Sequence, residues 1–283
     1  MQPQVWCWLG DNIYADTTDI PHMRRLYAAQ RAVPGYAALI AGGGIAVLGT
    51  WDDHDYGAND AGREYPRRVE SQREILDFLD EPSDSARRTR EGIYTSRTFA
   101  QDGRSVKVIL LDTRYHRDPI GSNGTVLGEE QWKWFAAELG DSKADVHIVV
   151  TSIQAIAEEH RFEKWANFPD ERRRLFGVIA ASRARGVILI SGDRHHAEIS
   201  RLATGPANPV AYPIYEITSS SLTHSRNPQA ESNRHRVGLI SFERNFGLIE
   251  INWATGNVRF RILGQDGGTL LEAATPLSAL SPP

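Results

Sequence analysis

Three short segments carry most of the chemistry this 283-residue chain can offer: Gly10-Asp11-Asn12-Ile13-Tyr14, Trp51-Asp52-Asp53-His54-Asp55 and Gly192-Asp193-Arg194-His195-His196. Each follows a short apolar run, so each reads as a loop at the C-terminal end of a buried strand, where α/β folds collect their ligands. Carboxylates and imidazoles converging at strand ends are what a two-metal hydrolytic site needs, and such a site acts on phosphate esters. Asp11 could bridge two cations, one on each oxygen, or simply turn its loop. Asp52, Asp53, His54, Asp55 and Asp60 lie within ten residues. So much negative charge at the end of a buried strand is costly unless a cation offsets it. In an extended chain Asp193 and His195 would point the same way and could reach one metal, with His196 turned elsewhere.

Weaker candidates surround these. Arg114 follows the apolar run Val108–Leu111 and could clamp a phosphate or pair with a structural Asp. Gln154 follows another strand end. Tyr14 and Asp16 add polar groups to the first loop. His160, His224 and His235 sit in polar stretches with no assigned role, and Arg172-Arg173-Arg174 reads as a solvated helix face.

The elements that must position these residues follow from periodicity. Strands are expected at Val5–Leu9, Ile45–Thr50, Ile93–Phe99, Val106–Leu111, Val146–Ser152 and Val187–Ser191. Helices are expected at Pro21–Gln30, near Tyr36–Ala41, and at Arg67–Leu79, Leu127–Leu139 and Asp170–Ala184. The polar stretch Pro82–Arg90 reads as a mobile surface loop. Beyond the third motif the pattern turns to strands, at Ile199–Ala203, Tyr212–Ser219, Phe246–Trp253 and Val258–Leu263, the last two forming a hairpin. Two packed sheets with helices outside accommodate both halves, in a single domain over 1–283.

Composition narrows the class. Hydrophobic residues make up 41% of the chain, its net charge is −4 and its pI about 6.1, so no basic excess points to nucleic acid as a specific partner. One cysteine, Cys7, excludes an internal disulfide and an all-thiolate metal site. No apolar stretch is long enough to span a membrane. Met1-Gln2-Pro3-Gln4 lacks a basic n-region and Val5–Leu9 is too short for a signal core, so these residues do not read as an export signal. The chain enters its first strand within four residues, which leads us to expect an upstream segment.

The motifs Leu-Gly-Asp-Asn-Ile-Tyr-Ala-Asp (9–16), Trp-Asp-Asp-His-Asp-Tyr-Gly-Ala-Asn-Asp (51–60), Leu-Asp-Thr-Arg-Tyr-His-Arg (111–117), Leu-Gly-Glu-Glu-Gln-Trp (127–132) and Ser-Gly-Asp-Arg-His-His-Ala-Glu (191–198) run in the order seen in the alkaline phosphatase D family of calcineurin-like metallophosphoesterases. The chain resembles that family from Trp8 to about Gly264. The resemblance implies two mixed β-sheets packed face to face with helices on both outer sides, a four-layer α/β/β/α sandwich. It implies Asp11 as the metal-bridging carboxylate, Asp53, Asp193 and His195 as further metal ligands, and His54 as the residue that steadies the phosphate or protonates the leaving group. Tyr27 resembles the family's iron-binding tyrosinate. The metals implied are iron and calcium, with other divalent metals possible. The substrate implied is a small phosphate monoester or diester, attacked in line by a metal-bridging hydroxide. Relatives are usually exported. The family also carries an upstream strand ending in Gly-Ser-Cys, whose Cys binds iron. Cys7 does not match it, which raises the alternative of a truncated, non-catalytic relative that binds a phosphorylated ligand or partner.

Overall fold

In the computed structural model, which describes residues 3–225 and 231–282, Val5–Leu9 (β1) and Ala46–Thr50 (β2) pair in parallel, from Val5 opposite Ala46 to Leu9 opposite Thr50. Between them run Ile20–Arg31 (α1) and Pro34–Ala41 (α2). The Asp19 side chain caps α1 by accepting from the His22 amide at 3.1 Å. After β2 come a four-residue helix, Asp53–Tyr56 (α3), and then Arg68–Phe78 (α4).

The largest sheet contains Thr95–Gln101 (β3), Arg104–Leu110 (β4), Val146–Ser152 (β5), Val187–Ser191 (β6), Ala197–Leu202 (β7), Ile214–Ser219 (β8) and Arg236–Ser241 (β9), in the spatial order β3-β4-β5-β6-β8-β7-β9. Strands β4, β5, β6 and β8 are parallel, and the flanking pairs are antiparallel. Glu129–Gly140 (α5) and Pro169–Ser182 (α6) are the long crossover helices. A third sheet is the antiparallel meander Asn245–Asn252 (β10), Asn257–Gly264 (β11) and Thr269–Pro276 (β12).

Alternation along the central strands sorts these pieces into layers. Ile109 and Val149 pack with Trp132, Phe135, Leu175 and Ile179 of α5 and α6. Val108, Leu110 and Val150 point the other way and meet Leu48 of β2 and Val5, Cys7 and Leu9 of β1. Tyr215 of β8 shares a register with Ile188 and, through it, with Ile148 on this second face. Its ring packs on Phe260 of β11 at 5.2 Å. The β1–β2 pair and the meander therefore cover the same face of the large sheet. Trp8, on the outer side of β1, packs under the first helices with Met23, Tyr27, Tyr36 and Phe78. The expected sandwich of two β layers between helical layers is present. Among the described residues, its second β layer consists of two hydrogen-bonded pieces rather than one.

One local expectation is overturned. Pro82–Arg90 is not a loose surface loop, because Arg87 within it is buried at 4% exposure. Its guanidinium holds Glu81 at 2.7 Å, the Ile93 carbonyl at 2.8 Å and the Gly49 carbonyl at 3.0 Å. Polar composition concealed a side chain that ties the stretch to the end of β2. Strands β9 and β12 also went unread: β9 is a half-exposed outermost strand, and β12 mixes small and polar residues with only Leu271 and Thr275 buried.

Candidate metal centre

The C-terminal ends of β1, β2 and β6 bring the three motifs together. Gly10 has φ +107, and a Cβ there would collide with Cβ of Asp52. Glycine thus lets the loop after β1 close against the loop after β2. Asn12 then anchors that loop, donating to the Thr50 carbonyl at 2.9 Å and to Asp55 at 2.5 Å. Asp55 also receives the Asp52 amide at 2.6 Å, capping α3. Asp55 is therefore spent on structure, although sequence alone does not separate it from its neighbours.

Asp11 sits at the centre. Its carboxylate belongs to two groups of ligand atoms within 4.8 Å of one another, one with Asp52 and Asp53 and one with His54 and His195. Both of its oxygens are buried and accept no hydrogen bond. Asp53 receives the His54 amide at 2.9 Å and the Asp60 amide at 2.7 Å, which fix its orientation. Burial, followed by the nearby carboxylates Asp53, Asp52 and Asp193, pushes the Asp11 carboxyl well above its ordinary range. Burial and Asp52 do the same to Asp193. Buried carboxyls crowded this way, with orphaned oxygens, fit a multivalent cation, and the oxygen and imidazole donors suit hard or borderline metals. Cys7 is not among them. It lies in the layer between β1 and the large sheet, and burial pushes its thiol up to about 12.

The structure revises two sequence expectations, the extended Asp193–His195 pair and the Arg114 clamp. Asp193 and His195 are not in extended chain: both have left-handed backbones, with φ 64° and 52°. His195 joins Asp11 and His54, while Asp193 is buried outside that group of ligand atoms, within electrostatic reach of Asp52 and Asp53. His196 does turn away, to lie 3.8 Å from Glu198. Tyr27 packs its ring on Phe78 at 4.9 Å, while its buried hydroxyl, raised well above the ordinary range by burial and Asp55, has no hydrogen-bond partner. Tyr14 places its hydroxyl 2.8 Å from Nε2 of His195. Arg114 is no phosphate clamp, being wholly buried and paired with Asp52 and with Glu163 at 2.6 Å.

At the half-open mouth, Nδ1 of His54 is 2.8 Å from both carboxylate oxygens of Asp16. The Tyr14 ring stacks against His54 at 4.6 Å and against His224 at 3.8 Å. Asp16 and His224 carried no usable signal of this, since their partners are distant in sequence. Tyr14 shares the Asp11 loop, which was a hint. Gln154 is buried away from the mouth, donating to Glu198 at 2.7 Å and Thr218 at 2.9 Å.

A model of the PhoD-like phosphatase family matches residues 1–262. Alkaline phosphatase D of Bacillus subtilis (strain 168) is 25% identical over 115 residues, a match covering 33% of this chain and 20% of that protein. Among solved structures, PhoD superposes with a TM-score of 0.75 at 18% identity, over 96% of this chain and 63% of its own. GAP50, described as the anchor in the inner membrane complex of Plasmodium, superposes with a TM-score of 0.65 at 14% identity, over 96% of this chain and 78% of its own. The chain thus spans less than two thirds of the PhoD chain it matches. At these identities the structural likeness concerns the fold, which is calcineurin-like.

Proposed function

The chain belongs to the PhoD-like phosphatase family, and from that premise we propose that it is a metal-dependent phosphoesterase acting on small phosphate monoesters, diesters or both, with 1–283 forming one metallophosphatase domain. The observation that carries the reading is that Asp11 is shared by two groups of ligand atoms, one acidic and one containing His54 and His195. A carboxylate so placed is suited to bridge two cations.

In this reading Asp11, Asp53, Asp193, His195 and Tyr14 hold the metals. The phenol and imidazole suit iron, and the carboxylate side suits calcium or another divalent ion. Metals held there would supply Lewis acidity toward a phosphate ester and lower the pKa of a bound water toward neutrality. The chain's own residues do the rest. Asp53, held by two backbone amides, keeps its carboxylate aimed at the cluster. His54, on the first turn of α3 at the mouth, stabilises charge on the phosphoryl group or gives a proton to the leaving oxygen. The Tyr14 and His224 rings wall the entrance.

The test is hydrolysis of p-nitrophenyl phosphate and its bis-ester at mildly alkaline pH with iron and calcium supplied, repeated after chelation. Activity that chelation abolishes supports the reading, and the ratio of the two rates gives the mono- or diesterase preference. A folded, metal-supplied chain that hydrolyses neither would overturn it in favour of a binding role.

A further inference from the structure

We propose that a cavity between α4 and residues 88–91 binds a small organic oxyanion, a carboxylate or phosphate carried on an apolar body. Its volume is about 300 Å³, enough for a compact ligand. Val69, Gln72, Arg73 and Leu76 line it from α4, at the i, i+3, i+4, i+7 spacing of a single helix face. Residues 88–91 and Tyr115 supply the rest of the lining. None of these side chains belongs to the metal centre, so the inference stands apart from the phosphoesterase reading. Buried Gln72 braces the two sides. Its amide nitrogen donates to the Arg87 and Arg90 carbonyls at 2.7 and 2.8 Å, and its oxygen accepts from the Gly92 amide at 3.1 Å. The cavity is therefore built into the fold rather than opened between loose segments.

The cations decide the class of ligand. Arg88 is spent on structure, pairing with Asp77 at 2.8 Å and donating to the Glu81 and Pro82 carbonyls. Arg90 is not. Its guanidinium stacks on Tyr94 at 3.8 Å, its Nε is buried without a hydrogen-bond partner, and it forms no ion pair among the described residues. Burial lowers its pKa from the ordinary value, the mark of a cation that has left water without gaining an anion. Arg73, exposed on α4, also has no ion pair among the described residues. One exposed carboxylate, Glu91, opposes these two cations, so the uncommitted charge of the lining is positive. A guanidinium binds carboxylate and phosphate alike through paired hydrogen bonds, and either would give Nε an acceptor. Val69, Leu76 and Tyr115 offer apolar surface to the body of the ligand.

The test is a titration of the full chain followed by backbone amide NMR. Phenylphosphonate and benzoate are the anionic probes, and benzyl alcohol is the neutral probe of similar size. At millimolar concentration at least one anion should shift the amides of residues 69–76 and 88–91, and benzyl alcohol should not. The tighter anion identifies the class, phosphate or carboxylate. Arg90→Gln should weaken binding about tenfold or more. Arg90 also packs on Tyr94, so Arg73→Glu, an exposed change on α4, is the variant that leaves the core alone. It should weaken binding as well, through the reversed charge. Shifts confined to the loops after β1, β2 and β6 would place the anion at the metal centre alone and overturn the proposal. Equal binding of benzyl alcohol, an affinity unaltered in Arg73→Glu, or no shift from either anion would overturn it too.

Discussion

Arg114 and Asp52 form an ion pair enclosed on all sides beneath the metal centre, with Nε of Arg114 2.5 Å from the Asp52 carboxylate. The same guanidinium holds Glu163. One cation thus serves two buried carboxylates, and Asp52 is the residue immediately before Asp53. Replacing Arg114 with Leu strands Asp52 and leaves Glu163 only Arg117, at 3.1 Å, so it should cost about 3–5 kcal/mol of stability. Urea unfolding of the metal-free variant measures this. A loss under 1 kcal/mol, roughly that of a surface pair, would mean that water reaches the site.

The contrast between Tyr14 and Tyr27 gives a second prediction. Tyr14→Phe removes a hydroxyl 2.8 Å from His195 and should weaken metal retention and turnover by about tenfold or more. Tyr27→Phe removes a hydroxyl in the helical core and should leave both near the parent level. Metal analysis after dialysis, beside kcat/KM, distinguishes the two. The reverse outcome would restore Tyr27 as the ligand.

Acid should weaken the fold through His160. This ring is buried, neither nitrogen has a hydrogen-bond partner, and burial with Arg194 and Lys164 lowers its pKa from 6.5 to about 3. The unfolded chain therefore binds a proton that the folded chain refuses. The stabilisation is complete above pH 6.5 and is lost progressively as pH falls toward 3. Between pH 7 and 5 this group should account for at most about 2 kcal/mol. His160→Leu should remove that part of the slope in paired urea titrations, and an unaltered slope would refute the assignment.

Gly10 is the hinge of the site, and Gly10→Ala should damage metal binding more than any surface glycine change. An added Cβ meets Cβ of Asp52 and sits 2.8 Å from its backbone nitrogen, at a φ that alanine resists. Gly43→Ala, also at positive φ but in open space, controls for backbone strain alone. Comparable metal content in the two variants would argue against close packing of the two loops.

Much of this molecule was legible from residue order because strand ends are local events. An apolar run followed by Gly-Asp or Trp-Asp-Asp marks where a buried strand stops and polar groups begin, and Asp11, Asp53, Asp193 and His195 all lie at such places. Side-chain direction was not legible. Asp193 and His195 look like an alternating pair, yet both adopt left-handed backbones, so the period-two rule does not apply to them. Tyr14 reaches His195 because the loop after β1 folds back over α3, a path set by the Asn12–Asp55 and Ala15–His54 hydrogen bonds. Arg114 reads as a phosphate clamp or half of a structural pair, and the fold decides for the pair by bringing Asp52 and Glu163 from segments distant in sequence; Arg87 lies in a stretch that reads as surface yet is buried, its guanidinium reaching the distant Gly49 carbonyl. Residue types and the positions of strand ends are properties of the chain. Which atoms face one another depends on long-range closure, and only the tertiary structure supplies it.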